Sequence, residues 1–85
     1  MTTNQDQETK FELAAEKART ISNVPDKTKL KLYGLFKQAT VGKNLNPRPS
    51  IFALTARAKH DAWAELDSMK KEQAMEQYIV LVEGL

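Results

Sequence analysis

The chain has 85 residues, 13 of them lysine or arginine and 11 aspartate or glutamate, for a net charge of +2. At this length one domain, residues 1–85, with a modest core is expected. With no cysteine, disulfide frameworks, thiolate zinc sites and cysteine nucleophiles are excluded, and no apolar run approaches the roughly 20 residues of a membrane span.

Residues 1–6 are polar and expected to fray. Asp6 is placed to cap a first helix beginning near Gln7. Phe11, Ala14, Ala15, Ala18 and Ile21 recur at three and four residues, the stripe of an amphipathic helix. Pro25 steers Val24 out of the helical region, so that helix should end near Asn23. Asp26 suits the N-cap of a second helix running to about Val41, where Gly42 can take the left-handed turn that ends helices.

Two stripes run along this second helix. Leu32, Leu35 and Ala39 form an aliphatic one. Tyr33, Phe36, Lys37 and Thr40 form another, at i, i+3, i+4 and i+7. One stripe suffices to hold a helix on a core. The second, with two rings and a cation, suits a ligand with a flat base and a phosphate. Plain packing, with the lysine reaching out to water, stays open on this stretch alone.

Lys43 to Ile51 is a long loop made stiff by Pro47 and Pro49. Ile51, Phe52 and Leu54 look too apolar for a free loop and are expected to pack on the core. A third helix is predicted over Ala56–Leu66, with Ala58, Ala62, Trp63 and Leu66 as its apolar arc. Lys59 falls inside that arc; either its stem packs and its ammonium reaches water, or it meets an anion at the end of an apolar groove. Asp67-Ser68-Met69 reads as a turn, with Ser68 or Asp67 as cap of a last helix. That helix is apolar at Ala74, Met75, Tyr78, Ile79, Val82 and Leu85, and Val80 and Leu81 widen the face. Few glycines and prolines and no sustained alternation make the chain all-α.

The catalytic and metal patterns sought are missing. The single histidine, His60, next to Asp61, reads as a surface residue without a second ligand or dyad partner. No phosphate-cradling glycine loop and no nucleophile motif occurs, so no enzyme is expected, and no metal or cofactor. Lys27, Lys29, Lys31, Lys70 and Lys71 read as solvated lysines, not a nucleic-acid face. The polar N-terminus lacks a secretory segment, so a cytoplasmic protein is expected.

Four stretches in order, Tyr33-Gly-Leu-Phe-Lys-Gln-Ala-Thr-Val-Gly42, Asn46-x-Arg48-Pro49, Ala58-Lys59-x-Asp61-Ala62-Trp63-x-x-Leu66 and Ala74-Met75-x-x-Tyr78-Ile79, resemble the acyl-CoA-binding protein family, also called diazepam-binding inhibitor. The likeness extends from Phe11 to Leu85. It implies an up-down-down-up four-helix bundle, with a long link between helices 2 and 3. It also implies a carrier and pool former that binds medium- to long-chain acyl-CoA without turnover. By that resemblance Tyr33 meets adenine and phosphate, Lys37 and Lys59 the 3′-phosphate, and Tyr78 lines the ligand. Arg19 stands where a helix-one lysine approaches the nucleotide. Phe36 replaces a usual tyrosine, keeping the ring and losing the hydroxyl. Thr55 replaces a lysine often found bordering the ligand. His60 stands in place of a tryptophan, Ser50 of a glycine, and Lys29 and Lys31 of apolar residues near the acyl path. The family precedent is a monomer, and the fit leaves room for transient membrane contact. The competing readings are a helical protein-interaction module and a weak esterase.

Overall fold

The structure, a computed structural model, describes residues 4–85. Four helices follow one another: α1 (Asn4–Thr20), α2 (Asp26–Thr40), α3 (Leu54–Ala64) and α4 (Lys71–Glu83). Among the described residues no helix is long and apolar enough to cross a membrane.

The residues that touch across each interface set the helix directions. Gln7 donates to the Glu72 carbonyl and Phe11 meets Tyr78, so partners ascend together and α1 runs parallel to α4. Gln38 reaches the Met69 carbonyl while Phe36 meets Tyr78, so α2 runs against α4. Lys59 lies over the ring of Tyr33 and Lys37 over that of Trp63, so α3 runs parallel to α2. This is the expected up-down-down-up bundle. Its spatial order is α1, α4, α2, α3, with α3 packed on α2 alone among the helices.

The core lies where α4 meets α1 and α2. Phe11 and Ala14 of α1, Leu35 and Ala39 of α2, and Ala74, Tyr78, Ile79 and Val82 of α4 are buried there. Ala15, Ala18, Ile21 and Leu32 pack against them, so the aliphatic stripes read from the sequence face inward. Val80 and Leu85 do not join: both are exposed. Val80 borders an open groove between α4 and α2, with Lys31 and Leu35, and Leu85 lies past the helix end.

The helix ends differ from expectation by one to three residues. α1 starts at Asn4, with Asp6 in its first turn, not before it. Of residues 1–6, expected to fray, 4–6 belong to α1, and 1–3 lie outside the described residues. Asp26 is the first residue of α2, and Pro25 is the cap position. Lys70, not Ser68 or Asp67, precedes α4, and its N–H donates to Gln73 Oε1 at 3.3 Å. Gly42 ends α2 at φ +99°, the left-handed region that glycine enters freely.

Hydrogen bonds to α3 hold the link 41–53. Trp63 Nε1 donates to the Gly42 carbonyl at 2.7 Å, and Asn44 Nδ2 to that of His60 at 3.2 Å. Arg48 makes two parallel bonds to the Asp61 carboxylate, at 2.9 and 2.7 Å. His60 is therefore no free surface residue: its side chain is only 14% exposed, and Nε2 lies 3.0 Å from the Asn46 carbonyl oxygen. Ile51, Phe52 and Leu54, expected on the core, are exposed. The turn from Ser50 to Ala53 holds them at the end of α3, which packs on α2 alone and offers them no second layer; Leu54 only borders an open groove with the start of α2.

The Arg48 fork, helped less strongly by His60, holds the Asp61 carboxyl at about 2. A folded value below the unfolded one stabilises the fold at higher pH. The contribution is complete above about pH 4 and lost as pH falls toward 2. Acid unfolding followed by circular dichroism should therefore steepen in that window. In Arg48→Met the Asp61 carboxyl returns toward its unfolded value, so this contribution should be largely absent and the acid limb flatter between about pH 4 and 2; an unchanged acid limb would refute the linkage.

Candidate functional site

The second stripe of α2 stays out of the core. Leu35 and Ala39 are fully buried while Tyr33 and Lys37 are half-buried and Phe36 and Thr40 exposed. Two aromatic-and-cationic groupings form along that stripe, one toward α3 and one toward α1 and α4.

Toward α3 the contacts form two rungs. The Lys59 ammonium lies 5.5 Å from the Tyr33 ring centroid, and the Lys37 ammonium 5.1 Å from that of Trp63. Each helix steps four residues between rungs, a rise of about 6 Å. Gly34 makes this approach possible: a Cβ built there would stand 2.6 Å from the Ala62 carbonyl oxygen. Neither lysine forms an ion pair among the described residues. Two ammonium groups thus lie along one seam beside two ring faces, an arrangement that can hold a phosphate next to a planar base.

Toward α1 and α4, the rings of Phe36, Phe11 and Tyr78 cluster, with centroids 5.1 to 6.0 Å apart. They adjoin a groove of about 600 Å³ lined by Phe11, Phe36, Ala39 and Met75, whose charged walls are Glu8, Glu12 and Glu16 as well as Arg19 and Lys71. Burial pushes the Tyr78 hydroxyl above its ordinary value, and the charge of Arg19 pulls in the opposite direction. Arg19, Phe36 and Tyr78, read separately from three helices, come together here.

Thr55 lies elsewhere. It lines a separate groove of about 430 Å³ between the starts of α2 and α3, with Asp26, Lys29, Leu30, Leu54, Ala58 and Lys59. Lys59 belongs both to this mostly aliphatic groove and to the Tyr33 rung, and so joins the two. Lys31 lines two other grooves, one with Ala58 and Ala62 and one with Leu35 and Leu81.

Sequence reasoning missed three contributors. Trp63 was read as core; it is buried, yet one ring face also receives Lys37. The signal was available, because Trp63 follows Lys59 by four residues as Lys37 follows Tyr33. Phe11 stacks on Phe36 across the gap between α1 and α2, which sequence does not disclose. Lys71 was read as merely solvated and lines the larger groove.

Fold and site together define an all-α bundle with an open aromatic face, flanked by two lysines at the α2/α3 seam. A sequence profile described as "Acyl CoA binding protein" matches residues 8–82. Acyl-CoA-binding domain-containing protein 1 of Oryza sativa subsp. japonica is 50% identical over 76 residues, which are 88% of this chain and 84% of that protein. The acyl-CoA-binding protein of Ricinus communis is 47% identical over 76 residues, again 88% and 84%. The crystal structure of Oryza sativa acyl-CoA-binding protein 2 superposes with a TM-score of 0.94 at 44% identity, covering 96% of this chain and 90% of that one. An acyl-CoA-binding protein from Moniliophthora perniciosa does so with 0.82 at 32%, covering 87% and 74%. The chain belongs to the acyl-CoA-binding protein family.

Proposed function

We propose that this protein binds acyl-CoA esters of medium to long chain, as an intracellular carrier and pool former that leaves the thioester intact. The observation that carries the reading is the α2/α3 seam, where Lys37 and Lys59 lie over neighbouring rings on parallel helices. Both ammonium groups clamp the 3′-phosphate through charge-assisted hydrogen bonds. Tyr33 stacks with the adenine, Phe36 offers a second ring, and Arg19 and Tyr78 close the site from α1 and α4. The acyl chain leaves water for the aliphatic groove of Leu30, Leu54 and Ala58, bordered by Thr55. The head group fixes orientation and ligand class, and the tail selects length. Lys29 at the groove wall limits how much chain is buried. No cofactor takes part, and the working unit is a monomer.

Calorimetry with acyl-CoAs of graded length, free CoA and free fatty acid tests this. Each methylene buried should add up to about 0.8 kcal/mol until the groove is full. Free fatty acid should bind far more weakly than its CoA ester. No binding of any CoA ester would overturn the reading in favour of a helical interaction module. Release of free thiol from palmitoyl-CoA would overturn the claim of no turnover.

A further inference from the structure

The turn between the link and α3 is built the wrong way for a surface in water. Phe52 is 92% exposed, Leu54 73% and Ile51 61%, three large apolar side chains within four residues. The presentation is held in place. Phe52 N–H donates to Ser50 Oγ at 3.1 Å and Ala53 N–H to the Ser50 carbonyl at 2.9 Å. Leu54 belongs at once to this tip and to the aliphatic groove beside Lys59, so the patch continues into the groove.

The charge around the tip is mostly basic, with Asp26 the one acid lining the groove beside Leu54. Residues 27–60 include eight lysines and arginines and no acid; all 11 acidic residues of the chain lie outside that stretch. Lys43 and Arg48 are paired with Asp67 and Asp61, while Lys29, Arg57 and Lys59 carry no ion pair among the described residues. Arg57 follows Leu54 by three residues, about one turn, and Lys29 and Lys59 flank Leu54 in the groove. Apolar side chains with unpaired cations on the Leu54 side complement the interface of a bilayer with anionic headgroups: rings enter the acyl region while lysines and arginines stay among the phosphates.

We propose that the tip around Ile51 and Phe52 inserts into anionic membranes. It rests on the binding reading to this extent: insertion sets the mouth of the aliphatic groove against the bilayer, so that an acyl chain passes between the two without crossing water.

The test uses the full chain with vesicles of phosphatidylcholine, alone or with about a quarter phosphatidylserine. The wild type should co-sediment with the anionic vesicles and hardly with the neutral ones. Phe52→Asp should weaken that binding by roughly ten- to a hundredfold, the loss of one buried aromatic side chain. Because the chain has no cysteine, Phe52→Cys labelled with an environment-sensitive fluorophore should shift to the blue on anionic vesicles. No vesicle binding, or binding that Phe52→Asp leaves unchanged, overturns the proposal. So does a label that responds to a soluble polyanion such as polyglutamate and not to vesicles, which would point to an acidic protein partner. Acyl-CoA affinity of Phe52→Asp without vesicles should equal that of the wild type. If neither chain binds acyl-CoA, the binding reading fails while the vesicle result stands on its own.

Discussion

Replacing Lys37 with alanine should weaken palmitoyl-CoA binding by roughly ten- to a hundredfold, the range for losing one hydrogen bond between charged partners. Free CoA should lose affinity in parallel and free fatty acid should lose none, because the affected contact is to the head group. The gain per methylene should stay as in the wild type. Lys59→Ala should behave alike, except that Lys59 also borders the aliphatic groove, so its removal should disturb the response to chain length as well. If both ammonium groups hold one phosphate, the double variant should lose less than the two single effects combined. Lys43→Ala removes the same charge from an exposed pair with Asp67 and should leave binding within about twofold. Equal losses in Lys37→Ala and Lys43→Ala would mean that net charge alone draws the ligand, and that the seam is no clamp.

The bundle was legible because its core uses one rule throughout. Phe11, Ala14, Leu35, Ala39, Ala74, Tyr78, Ile79 and Val82 sit at helical spacing, and all are buried. What periodicity could not give is which faces stay uncovered. Ile51, Phe52 and Leu54 are as apolar as any core residue, and only the packing of α3 on α2 alone decides that they face water. Gln38 is the converse. It is polar and adjoins the aliphatic stripe, yet it is fully buried, with Nε2 donating to the Asp67 and Met69 carbonyls at 3.0 and 2.7 Å. Those partners lie 29 and 31 residues away, beyond any local pattern. His60 is misread for the same reason, since its neighbour Asn46 reaches it only after the link has folded back. The candidate site divides along this line. Its stripe on α2 is local and could be read directly. Its closure by Lys59, Trp63, Phe11 and Arg19 depends on three interfaces, which sequence reaches only through resemblance.

Gly34→Ala should be among the most damaging single changes in the chain, although it adds one methyl group to a helix that would otherwise gain from alanine. A helix interior ordinarily gains about 1 kcal/mol from that exchange. Here the new Cβ would stand 2.6 Å from the Ala62 carbonyl oxygen, 2.9 Å from its carbonyl carbon and 3.2 Å from the Trp63 nitrogen. All three are backbone atoms of α3, so no side chain can turn aside and the helices must separate. Overpacking of this kind costs about 1–3 kcal/mol, and the rigidity of the neighbour places it at the upper end. For a domain of this size the melting temperature should fall by roughly 10–20 °C. The loss should reach function before it reaches the fold, because the same separation draws Lys59 from Tyr33 and Trp63 from Lys37. At a temperature where circular dichroism shows the variant still helical, calorimetry should find acyl-CoA affinity reduced at least tenfold. An alanine variant that melts like the wild type would show that α2 and α3 do not approach so closely in solution. Undiminished affinity in a destabilised variant would separate the seam from the ligand and leave the binding site to the rings of α1 and α4.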